Sequence, residues 1–124
     1  MEAKDLMIGD WVLMPDLSYG RITQISEKSV EIDNRRRPYV ESIRPIKLDT
    51  RNLLLIGFEQ PDDKSEYMIG FFGQIIIGRT PKGDFYIDGR GPDHFYKCYN
   101  LEIEYVHQLQ HLFRFLGIRD DIKL

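Results

Sequence analysis

Three residues near the end of the chain have the side chains and spacing that can hold a metal ion: Glu104, His107 and His111. They recur at i, i+3 and i+7, which places them on one stripe of an α-helix. Neutral imidazoles and a carboxylate one turn apart can converge on zinc. Asp93, His94 and Cys98 precede them and can add ligands. A solvated polar stripe explains the same pattern, because the chain has one cysteine and no complete zinc spacing. The solvated stripe is the reading carried forward, with no metal and no cofactor expected.

A second cluster is basic. Arg35-Arg36-Arg37, followed by Pro38 and Tyr39, sits where flanking alternation marks a hairpin tip. Arginine grips phosphate bidentately and a neighbouring tyrosine can stack on a base, so Arg35, Arg36, Arg37 and Tyr39 are the candidate nucleic-acid contact. Glu31, Asp33 and Glu41 surround the triplet and can neutralise it. The chain carries 17 basic and 20 acidic residues, net −3, so any such contact must be local. A third set, Trp11, Tyr19 and Tyr39, can line an aromatic groove for a peptide. A tryptophan after Gly9-Asp10 at the start of a strand is nevertheless expected in the core.

Nucleophilic catalysis finds few ingredients. No serine has the Gly-x-Ser-x-Gly setting. Cys98, between aromatics, reads as a small buried residue. Gly70, Gly73 and Gly78 lack the Gly-Lys-Ser/Thr that a phosphate loop needs, and read as breaks between strands. The chain is therefore not expected to be an enzyme.

The elements that must position these residues start at residue 9. Short apolar or alternating runs at 10–14, 19–25, 30–33 and 40–48 read as strands separated by turns, with residues 34–38 as a charged tip. Ile22 and Ile25 fall out of strict phase, which predicts a bulge in the second strand. Gly9-Asp10-Trp11-Val12 followed by Tyr19-Gly20-Arg21-Ile22 resembles the opening hairpin of SH3-like barrels of the KOW and Tudor type. That resemblance implies a small barrel over residues 1–48.

Residues 49–124 read as an α+β part. Asp49 and Thr50 start a short helix that Gly57 ends. The segments 67–77 and 85–87 form a small antiparallel sheet. Residues 100–116 form an amphipathic helix with Tyr105, Val106, Leu109, Leu112, Phe113 and Leu116 on its apolar face. Asn100 is its expected cap. All aromatics but three lie beyond Gly57, which supports a division near residue 49. The expected fold class is α+β.

The whole chain is also similar to an uncharacterised family of small proteins from Bacteroides-type bacteria and their phages. The similarity rests on Ile46 to Phe58 (IKLDTRNLLLIGF) and on Tyr105-Val106-His107-Gln108-Leu109-Gln110. It implies a bacterial or phage-related origin and no established activity.

Composition sets the remaining bounds. At 124 residues and 42% apolar content, the chain can bury a core without staples. A single cysteine forms no internal disulfide, and the opening residues lack a signal-peptide pattern, so a cytoplasmic setting is expected. No apolar run approaches the roughly 20 residues that cross a bilayer. The expected function is a binding or accessory module acting through protein–protein contacts. Nucleic-acid association through the 35–37 loop is the alternative, and a metal-dependent enzyme at Glu104, His107 and His111 the weaker one. The aromatic surplus makes pairing of copies a further expectation.

Overall fold

A computed structural model describes residues 1–61, 67–73, 75–89, 97–120 and 122–124, with backbone alone at 89 and 97–100. The elements are β1 Trp11–Leu13, β2 Tyr19–Ile25, β3 Val30–Ile32, α1 Thr50–Ile56, β4 Met68–Phe72, β5 Ile75–Arg79, β6 Phe85–Gly89, β7 Lys97–Leu101 and α2 Val106–Phe115. Short 3-10 turns occupy Ala3–Asp5 and Val40–Ser42. The fold is α+β, with antiparallel sheets in the orders β1-β2-β3 and β4-β5-β6-β7. Among the described residues no helix is long and apolar enough to cross a membrane. The chain divides into one unit of Met1–Lys47 with Tyr105–Phe115, and another of Leu48–Glu104 with Leu116–Leu124.

In the first unit, β1 and β2 pair as Trp11↔Arg21, Val12↔Gly20 and Leu13↔Tyr19. Alternation turns Val12, Ile22, Val30 and Ile32 inward, where they join Leu6, Met14, Val40 and Ile43 in one core. Gly20 is required there: a Cβ at this position would collide with Ile32 Cγ2. The register of β2 against β3 shifts between Ile22 and Gln24, which is the expected bulge. Asp33 and Asn34 turn the β3 end at φ 51° and 62°, a conformation their short polar side chains tolerate.

A closed barrel over residues 1–48 is not what the described strands form; the sheet is open. The stretch 40–48 is not a strand either. Val40–Ser42 curls into a 3-10 turn, and among the described residues the segment after it forms isolated bridges at Leu13↔Arg44 and Lys47↔Tyr105 rather than a ladder. Pro45 explains part of this, since it has no amide to extend a ladder.

The C-terminal helix is also shorter than the sequence suggested. Residues 97–101 pair with β6, so Asn100 lies in a strand rather than at a cap. The helix starts at Val106, where the Gln108 side chain accepts from the Tyr105 amide at 3.2 Å and satisfies one orphan donor. Gly117, at φ 74°, follows its end. This helix packs against β1 in the first unit, although it was expected with residues 49–124.

In the second unit, Asp49 and Asn52 cap α1 reciprocally, at 2.8 and 2.9 Å, and Gly57 ends it at φ 122°. Phe58 meets Phe72 and Phe85 edge-on, at 5.5 and 6.2 Å between ring centres. Met68, Ile77 and Ile87 are buried with them. Gly70 and Gly78 lie inside β4 and β5 rather than between strands. A Cβ at Gly70 would strike the Phe72 ring, and one at Gly78 the Tyr86 ring.

Candidate functional site

The densest chemistry lies where Gly9, Asp10 and Trp11 enter β1. Asp10 is fully buried, a position that a carboxylate tolerates only when paired. Its Oδ1 accepts from Arg114 Nη1 at 2.8 Å. Its Oδ2 lies 2.8 Å from His111 Nε2 and accepts from the Met7 amide, also at 2.8 Å. Gln110, equally buried, bridges the next groups along the chain. Its Nε2 donates to the Gly9 carbonyl and its Oε1 accepts from the Trp11 amide, each at 2.8 Å. Arg21 Nε donates to the same Gly9 carbonyl at 2.8 Å, and its guanidinium lies 5.8 Å from the centre of the Trp11 ring.

Residues 107, 110, 111 and 114 recur at helical spacing, so one stripe of α2 faces this turn. The stripe was expected to be solvated. Glu104 is exposed as expected, but His107 and Gln110 are buried and His111 and Arg114 half-buried on the Gly9–Trp11 segment, while Val106, Leu109 and Phe113 are buried beside them. Gln110 replaces a neighbouring strand by satisfying the outward backbone groups of residues 9 and 11.

His107 belongs to the stripe but not to the clamp. It is 6% exposed, stacks on Tyr105 at 6.0 Å, and meets His111 edge-on at 5.6 Å. Among the described residues its buried Nδ1 has no hydrogen-bond partner. Burial holds its pKa below the ordinary imidazole value, Asp10 and Asp5 pull it up, and His111 pushes it further down. His107 and His111 line a cleft of about 600 Å³ together with Lys4, Asp5 and Met7.

The expected metal set is only partly assembled. His107 and His111 are neighbours, but His111 is committed to Asp10. Glu104 precedes α2, is exposed, and its carbonyl accepts from the Leu48 amide at 2.9 Å. Asp93 and His94 lie outside the described residues, as does the side chain of Cys98. Among the described residues, no group of three or more His, Cys, Asp or Glu side chains is placed to hold a metal.

The arginine tip is largely matched by acids. Arg37 Nη2 reaches Glu31 Oε2 at 2.7 Å and Gln24 Oε1 at 3.2 Å. Arg36 lies 3.4 Å from Asp16 and 3.7 Å from Asp33. Asp16 was not singled out from sequence, because it sits on the preceding hairpin. The Arg35 side chain has no hydrogen bond or ion pair among the described residues, although its amide donates to the Ile32 carbonyl at 3.0 Å, and Tyr39 is 66% exposed.

Trp11 is half-buried rather than central to the core. With Leu13, Tyr19 and Arg21 it occupies the outer face of the β1–β2 hairpin, since these positions alternate with the buried 12, 20 and 22.

Sequence reasoning missed Asp10, Gln110 and Arg114 as a unit. The available signal was the residue types at 107, 110, 111 and 114. Histidine and glutamine carry polar groups on short arms that suit a buried partner better than open water.

No protein-family model, no curated protein and no solved structure matches the chain.

Proposed function

We propose that the chain is a non-enzymatic binding or accessory module acting through protein–protein contacts, with residues 1–48 as an open SH3-like barrel of the KOW and Tudor type. The order of pairing supports the barrel. Arg44 lies beside β1, then come β2 and β3, and then the bridges at Arg36 and Tyr39. In a flat sheet, four strand spacings would separate residue 44 from residue 39 by about 19 Å. The chain from 39 to 44 contains a 3-10 turn and spans about 14 Å at most. A sheet that curls toward closure accounts for this short span.

The observation that carries the binding reading is the half-exposed face of Trp11, Leu13 and Tyr19, with Arg21 laid over the indole. Aromatic and arginine side chains are enriched at the energetically dominant centres of protein interfaces, where they fill well-packed, desolvated pockets. The Asp10 network fixes the backbone beneath this face. The lone cysteine and the resemblance to bacterial and phage proteins support action in a bacterial cytoplasm.

A photo-cross-linking residue at position 19, incorporated in producing cells, tests this reading. A discrete protein adduct is expected from position 19 and not from position 27, and Leu13→Glu is expected to abolish it. Equal adducts from both positions, or adducts to nucleic acid alone, would contradict the reading.

The Arg35 side chain, without a partner among the described residues, and the exposed Tyr39 favour nucleic-acid contact as the second reading. It predicts retention on heparin that falls steeply with salt and is lost in an R35E/R36E variant.

A further inference from the structure

The seam between α2 and the Gly9–Trp11 segment holds one ionisable group that the clamp leaves unused. We propose that His107 is an acid-sensitive latch within the first unit: adding a proton to its ring loosens α2 from β1.

The geometry gives the reason. A neutral imidazole can keep its proton on Nε2 and leave Nδ1 as a bare lone pair. Imidazolium carries a hydrogen on both nitrogens. The buried Nδ1, which has no partner, would then become a donor with no acceptor.

Among the described residues, the groups around the ring do not offer that acceptor. Asp10, on the segment before β1, is engaged by Arg114, His111 and the Met7 amide. On the 3-10 turn, Asp5 attracts a proton toward His107, and Lys4 lines the same cleft with the opposite charge. On α2 itself, His111 stands edge-on to the ring and Arg114 is engaged with Asp10 Oδ1. Tyr105 covers one face of the ring. β1 contributes no ionisable side chain. A cation at His107 therefore gains two acids at a distance, and loses hydration while meeting a buried orphan donor.

The sign follows from burial holding the folded-state pKa below the unfolded value of about 6.5. The folded chain binds fewer protons than the unfolded one, so the contribution of His107 is fully present above pH 6.5. It is lost as pH falls below that value. His107 sits on the helix–strand contact, so the loss is expected there first.

Hydrogen exchange of the 106–115 amides in the full chain, from pH 7.5 to 5.5 and corrected for intrinsic rates, tests the proposal. In the wild type, protection should fall by up to about tenfold per pH unit below 6.5. In H107F the acid-dependent fall should vanish while protection at pH 7.5 persists. H107Q takes its place where H107F fails to fold, as judged by Trp11 fluorescence. Unchanged wild-type protection across this range would overturn the proposal. So would an acid-dependent fall that survives in the His107 variants and disappears in H111Q.

Discussion

The turn into β1 and the sheet β4–β7 are held by different physics. Gly9, Asp10 and Trp11 are tied to α2 by buried polar groups, each with a named partner at about hydrogen-bond distance. Around β4–β7 the described contacts are rings over bare backbone, with Phe58 between Phe72 and Phe85 and two glycines that leave room for aromatic neighbours. A polar seam fails one partner at a time, because each deletion strands the group opposite. A ring-and-glycine packing fails by volume, through cavities or collisions. The first arrangement is sensitive to pH and charge; the second responds to size.

The comparison is most easily broken at its extremes. Phe85→Ala should cost about 3–5 kcal/mol in urea unfolding, because it removes a fully buried ring. The cost should be the same at pH 7.5 and pH 6. A pH-dependent cost would mean that polar groups support this sheet as well. Asp10→Ala should cost about 3 kcal/mol, since Arg114, His111 and the Met7 amide all lose their acceptor. A change below about 1 kcal/mol, the range of exposed ion pairs, would reduce the seam to a surface feature.

Smaller effects sharpen the contrast. Gly78→Ala should cost about 1–3 kcal/mol through collision with the Tyr86 ring, and Tyr86→Ala in the same chain should recover part of it. Asp49→Ala should cost about 1 kcal/mol by uncapping α1. Arg36→Ala should cost about 0–1 kcal/mol in thermal melts, because its pairs with Asp16 and Asp33 are solvent-exposed.

Local signals in the sequence carried well. The capped start and glycine end of α1, the bulge in β2 and the strands of the opening hairpin follow from residue type and alternation over a few positions. Longer-range features did not. Lys97 to Leu101 supplies no strong strand pattern, and only its pairing with β6 makes it a strand. Gly70 and Gly78 read as breaks because a sequence does not show which ring will lie over a glycine.

The site was legible in half. His107 and His111 stood out by spacing, but the acid that engages His111 lies 101 residues away at Asp10. Distance along the chain hides such pairs. Burial also changed the meaning of the stripe, because an isolated helix with histidine, glutamine and arginine on one side looks solvated until a second surface covers it. The arginine tip shows the same limit: Asp16 matches Arg36 from a different hairpin.

Residue-resolved hydrogen exchange of Asp10→Asn at pH 7.5 tests the central claim, that buried polar groups join α2 to the start of β1. The account predicts lost protection at 11–13 and 106–115, with β4 to β6 unchanged from wild type. Undiminished protection of 106–115, with losses appearing in β4 to β6, would contradict it.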